Sequence, residues 1–160
     1  MRNITILLMI SLLAACGKDS KSIDEIKATY GDFGNGTIKY LSIDYTKTPI
    51  NKAVEHHPEE YTYLDAVDIF SIGHMSDGLF VTGLMVAPKK KGRYPVIVFN
   101  RGGNRDLGIL LVSVAVNELA PLAAQGYVVV ATNYRGNSRG EGVEEFGGSD
   151  LNDVSNLIKS

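Results

Sequence analysis

The stretch NYRGNSRGEG, residues 133–142, contains a G-x-S-x-G pattern: Gly136, Asn137, Ser138, Arg139 and Gly140. A serine in that spacing acts as a nucleophile when it sits on a sharp turn between a strand and a helix. The turn exposes its hydroxyl, and the helix N-terminus favours negative charge. The chemistry would be acyl transfer, which also needs a base and an acid that orients it. The histidines available as base are His56, His57 and His74, all upstream of Ser138, and His74, beside the Ser76-Asp77-Gly78 turn, is expected to be exposed. Other reactive groupings are weaker. The segment His56-His57-Pro58-Glu59-Glu60 reads as a polar loop, because adjacent histidines rarely reach one ion, so no metal site is assigned. Cys16 is the only cysteine, which rules out an intramolecular disulfide and a structural zinc–thiolate centre. Gly31-x-x-Gly34-x-Gly36 lacks the preceding strand and following helix of a dinucleotide fingerprint, and no cofactor is implied.

These residues must be positioned by the elements around them. A short helix is expected near 23–29 and a strand near 37–45. The segments 66–72 and 79–87 are rich in β-formers, and Ser76-Asp77-Gly78 between them favours a tight hairpin. YPVIVFN (94–100) is a continuous apolar run suited to a strand buried on both faces, and YVVVAT (127–132) is another. Between them, 110–125 reads as a helix with Val112, Val116, Leu119 and Ala123 near one face. A glycine-rich loop, 135–148, leads to a final helix starting at Ser149, with Leu151, Val154, Leu157 and Ile158 as its buried stripe. Strand, helix, strand, helix with two-sided strands predicts an α/β fold: a parallel sheet with flanking helices, entered through an antiparallel hairpin.

The chain has 160 residues, 44% of them hydrophobic and 21% charged, with a formal charge of −2. That composition suits a globular domain and gives no basic surface for nucleic acid. The run Lys89-Lys90-Lys91 beside Gly92 and Pro95 reads as a solvated loop. At the amino terminus, Arg2 precedes an apolar run from Ile4 to Ala15, too short to span a bilayer and of the length of a signal-peptide core. Its end, Leu13-Ala14-Ala15-Cys16, resembles the lipobox of bacterial lipoproteins. That resemblance implies lipidation of Cys16, a signal peptide over 1–16, and a location in the bacterial cell envelope, anchored to a membrane. Residues 17–60 then form a tether and amino-terminal segment.

From about Val67 onward the chain resembles the first half of an α/β-hydrolase catalytic domain, most closely the prolyl oligopeptidase type. The resemblance is carried by Ser76-Asp77-Gly78, by YPVIVFNRGG (94–103), by AAQGYVVVATNYRGNSRGEG (123–142), and by Gly148 with Asp150 and Asp153. It departs from the family at Arg101, where a histidine is usual, and at Asn104, where a proline is usual. The resemblance implies that 61–160 is a partial α/β-hydrolase domain ending before the nucleophile elbow. It implies that Gly103 and Asn104 are oxyanion-hole candidates. Arg101 and Arg105, flanking them, are candidates for binding a substrate carboxylate, and Arg135 is expected to be structural.

Ser138 is rejected as the nucleophile. The strand before it ends near Thr132, no helix starts until Ser149, and no histidine follows it, whereas the triad order in this fold is Ser, acid, His. By resemblance the completed protein would be a serine hydrolase acting on a peptide or ester. The family's usual amino-terminal β-propeller has no room here, which keeps a compact acyl esterase open. A non-catalytic surface lipoprotein or degenerate remnant of a hydrolase gene is the contrasting reading. The third strand, 94–100, would normally lie between the fourth strand and the nucleophile strand. Its free edge is therefore expected to invite self-association.

Overall fold

The computed structural model describes residues 22–33, 37–105 and 107–160. Cys16, the expected signal segment 1–16 and the glycines Gly34 and Gly36 lie outside the described residues. Helix α1 (Ile23–Tyr30) starts at a capping box in which the Ser22 hydroxyl accepts from the Glu25 amide and the Glu25 carboxylate accepts from the Ser22 amide. Serine followed three residues later by glutamate is the pattern that supports such a start. β1 (Lys39–Ser42) is shorter than the strand expected there, and α2 (Asn51–His56) with a 3-10 segment (Pro58–Ala66) leads into the sheet.

β2 (Val67–Ser76) and β3 (Leu79–Pro88) form the expected hairpin. Asp77 and Gly78 both adopt positive φ, 51° and 82°, as a two-residue turn matching the strand twist requires. β4 (Val96–Val98) and β5 (Val128–Thr132) follow, and the five strands run in the order β1-β2-β3-β5-β4. β5 lies antiparallel to β3 and parallel to β4. The sheet is thus mixed, the antiparallel hairpin leading to one parallel pair, β4 with β5, among the described residues. The third strand of the sequence does lie beside the fourth, as the resemblance implies.

Alternation along β5 shows why the sheet needs cover on both faces. Val129 and Ala131 join the core with Leu64, Leu84, Val116 and Leu119, while Val130 turns to the other face with Ile72 and Leu157. The first face is covered by the 3-10 segment and by one run of helix: α3 (Val112–Val114), a π turn (Ala115–Leu119) and α4 (Ala120–Ala124). The π turn precedes Pro121. A proline ring crowds the carbonyl four residues back, and the wider turn relieves this. α5 (Leu151–Lys159) covers the second face.

Three expectations are corrected here. Val96 is 60% exposed and Ile97 and Val98 are half-buried, so β4 is not buried on both faces. It stands at the edge of the sheet with no strand beyond it among the described residues. Ile158 of the α5 stripe, beside that edge, is exposed, as is Leu151 at the other end of the helix, and only Leu157 is fully covered. The α5 helix also starts later than Ser149. Asp150 occupies the N-cap, and Ser149 donates instead to Glu145 through its amide and its hydroxyl, each at 2.7 Å.

His74, expected to be exposed beside the hairpin turn, is 0% exposed. Its even position on β2 turns it inward with Ile72, toward α5. Nε2 lies 3.4 Å from the Thr132 hydroxyl and Nδ1 has no hydrogen-bond partner. Burial pushes its pKa below the ordinary histidine value, against the attraction of nearby Asp153. The folded chain therefore favours neutral His74. The stability this gives is present above the unfolded histidine pKa, about 6.5, and is lost as pH falls below it. Melting temperature should accordingly drop between about pH 7 and pH 5, and His74→Leu should flatten that drop. A variant with an unchanged pH slope would show that another group carries it.

Candidate active site

The loops leaving the carboxyl ends of β4 and β5 meet around a cavity of about 310 Å³, lined by Arg101, Gly102, Gly103, Tyr134, Glu144, Phe146, Gly147, Asp150 and Leu151. Ligands of open α/β sheets bind at this end of the strands. Gly103 has φ of 83°, and a Cβ there would collide with the Leu107 carbonyl. Only glycine therefore lets the loop double back so tightly. Among the described residues, the amides of Gly103 and Asn104 have no acceptor, and both residues are exposed. Free amides on a glycine turn beside a cavity are suited to stabilising an oxyanion.

Arg101 is placed otherwise than expected. It is 6% exposed. Its Nε donates to the Asn133 carbonyl at 3.1 Å, one terminal nitrogen donates to the Leu107 carbonyl at 3.1 Å, and the other pairs with Glu144 at 3.0 Å. Its guanidinium carbon also lies 5.0 Å from the Tyr134 ring centroid. With these donors engaged, Arg101 builds the loop. Arg105 is exposed with φ of 53°, and its amide donates to the Glu144 carboxylate at 2.7 Å.

Glu144 is the residue that spacing did not reveal. One oxygen, Oε2, accepts from Arg101, from the Arg105 amide and from the Asn137 side chain at 2.7 Å. It ties the Gly102–Arg105 loop to the loop after β5. Tyr134 was also unassigned in the sequence. It holds a left-handed backbone, φ 62°, which is costly for a bulky residue and concentrates at functional sites. Burial pushes its phenol pKa upward, so the hydroxyl keeps its proton.

Arg135 has the structural place expected of it. Asp153 accepts from its amide at 2.7 Å and from its guanidinium at 2.8 Å, and Asp77 accepts from the guanidinium at 2.7 Å. These bonds raise the arginine pKa, and the Arg135 contact holds the Asp77 carboxyl below its usual range. Asn152 and Asn156 of α5 also donate to Asp77. Arg135 thus joins the β2–β3 turn, the end of β5 and helix α5.

Ser138 is exposed, with φ of 46°, in a loop whose next helix begins at Leu151. Its carbonyl accepts from Thr82 at 3.1 Å, and among the described residues its hydroxyl contacts no histidine. His57, Glu59 and Glu60 place one possible ligand atom each within 4.8 Å of one another, but all three are exposed on the 3-10 segment and its approach.

No family profile matches the chain. It is 39% identical over 93 residues to a Bacillus subtilis (strain 168) protein named uncharacterized peptidase YtmA, covering 58% of this chain and 35% of that one. That match supports a hydrolase family. The chain spans 35% of the length of this curated relative. Among solved structures, acetyl xylan esterase 1 from Thermoanaerobacterium sp. JW/SL YS485 aligns with a TM-score of 0.45 at 14% identity, over 78% of this chain and 35% of that chain. Esterase Est22 aligns with a TM-score of 0.46 at 16% identity, over 89% of this chain and 46% of that chain. At these scores the structural likeness is loose.

Proposed function

We propose that this chain supplies the amino-terminal part of the catalytic domain of a serine hydrolase of the prolyl oligopeptidase type, acting on peptides or esters through an acyl-enzyme. The observation that carries this is the Gly103–Asn104 turn, whose two amides have no acceptor among the described residues, beside a cavity at the carboxyl ends of β4 and β5. When a serine attacks a carbonyl, the carbonyl electron pair moves onto oxygen and the serine proton passes to a base. Amides fixed in advance stabilise that oxygen without reorganising. The serine, acid and histidine would come from a segment beyond those described here, whose strand would pair with the free edge of β4.

The test is a fluorophosphonate probe on two proteins, the 160-residue chain and a longer form carrying its natural continuation. The longer form should label and hydrolyse an activated ester or peptide anilide; the 160-residue chain should do neither. Labelling of the short chain that disappears in Ser138→Ala would restore Ser138 as the nucleophile. A longer form inert to probe and substrates would favour a non-catalytic lipoprotein.

The same proposal places the protein in the bacterial envelope, anchored through Cys16. Several acyl chains on one cysteine give stable membrane attachment. Expressed in a bacterium, the protein should partition into detergent, and Cys16→Ser should abolish this. A variant that still partitions removes the lipid anchor from the proposal.

A further inference from the structure

Three acidic residues are buried among the described residues: Glu144, Asp150 and Asp153, at 8%, 3% and 0% exposure. Two have a cation. Glu144 is paired with Arg101 and Asp153 with Arg135. Asp150 has none among the described residues. Its two oxygens share a single donor, the Gly147 amide, at 3.2 and 3.3 Å, and its side chain makes no capping bond to α5. A carboxylate removed from water with one long hydrogen bond lacks a counter-ion. Asp150 lines the cavity beside the Gly103 turn.

The other walls of that cavity are equally unusual. Six non-glycine residues among those described have positive φ, and the two aromatic ones, Tyr134 at 62° and Phe146 at 56°, both line it. Phe146 is 71% exposed and Leu151 58% exposed. Two aromatic residues with left-handed backbones thus stand beside one carboxylate, and the Tyr134 ring already carries the Arg101 guanidinium carbon 5.0 Å from its centroid. Arg101 also borders it, but Glu144 matches its charge, so the remaining charge is that of Asp150.

We infer that this cavity binds a cationic group on an apolar body, an ammonium or guanidinium, with Asp150 as its counter-ion and Tyr134 and Phe146 as its walls. Aromatic faces and a carboxylate together recognise such cations. As the substrate class of the proposed hydrolase, this points to peptides bearing an amino terminus or a basic side chain, and to that extent it rests on the hydrolase reading.

The test measures binding and needs no catalysis. Benzylammonium, benzyl alcohol and benzoate are titrated against the full chain by saturation-transfer NMR, which reads the ligand and tolerates a self-associated protein. Benzylammonium should bind about tenfold more tightly than benzyl alcohol, the gain of a charge-assisted bond, and benzoate more weakly than either. Asp150→Asn keeps an N-cap residue and should remove the preference for the cation. Phe146→Ala, a change at an exposed side chain, should weaken benzylammonium and benzyl alcohol together. Equal binding of cation and alcohol, or a cation preference that survives Asp150→Asn, overturns the inference. If charge selectivity is found while the longer form is inert to fluorophosphonate, the hydrolase reading fails and the cation site stands. If the enzyme is active without charge selectivity, the reverse holds.

Discussion

Asp153→Ala is expected to destabilise the protein by about 3–5 kcal/mol, a large part of a domain's usual stability, because it strands a buried arginine charge. Asp153 is fully buried and accepts four of the hydrogen bonds around Arg135: one from the amide, two from Nε and one from a terminal nitrogen. Arg135 would keep Asp77, but the Asp77 side chain is 41% exposed, and such a contact is weakened by water. Because Arg135 links the β2–β3 turn to α5, losing Asp153 also loosens the cover over Ile72, Val130 and Leu157. Urea denaturation followed by circular dichroism measures the effect. A loss below about 1 kcal/mol would mean that Asp77 alone satisfies the arginine.

Glu144→Ala is expected to cost a similar amount, about 3–5 kcal/mol, and to act on the candidate site as well. The side chains of Arg101 and Glu144 are 2% and 3% exposed. Removing the carboxylate leaves the guanidinium, the Arg105 amide and the Asn137 side chain without their shared acceptor. The double change Arg101→Leu with Glu144→Leu should cost less than Glu144→Ala, because a pair of apolar groups needs no counter-charge. Denaturation midpoints of the two variants test this. A double variant as unstable as Glu144→Ala would show that the loop needs the Arg101 bonds to Asn133 and Leu107 themselves. Amide exchange across 101–105 should quicken in Glu144→Ala beyond the global loss if Glu144 positions the Gly103 turn.

Much of the fold was legible in the sequence, and for local reasons. Asp77-Gly78 can take two successive left-handed conformations, so the hairpin was readable from two residues. The apolar run 127–132 specified a strand with both faces covered, which is what β5 is. Gly103 was legible as a position of close backbone approach because it follows an apolar strand. Ser138 could be set aside by the distance to the next helix, and the structure places that helix at Leu151.

The misreadings have a common cause. Arg101 was read as a candidate for binding substrate because an arginine beside glycines resembles a ligand-binding group. Its partner lies 43 residues away, in a loop whose path the sequence does not state. His74 was read as exposed from its nearness to a turn, yet its even position in β2 decides that it points inward. The run 94–100 reads as fully buried from composition, but burial depends on a neighbour beyond the edge of the sheet.

By itself the sequence determined the order of elements, the turn between β2 and β3, the two-sidedness of β5 and the glycine turn after β4. Those follow from conformational preference and from the period of two along a strand, and both act between residues close in the chain. Only the tertiary structure decided that β5 lies between β3 and β4, that Arg101 belongs to Glu144 and Arg135 to Asp153, and that Asp150 has no cation among the described residues. Periodicity tells a side chain which face it occupies. It does not tell a charge which loop will come to meet it, because that pairing is set by how distant segments close over the sheet.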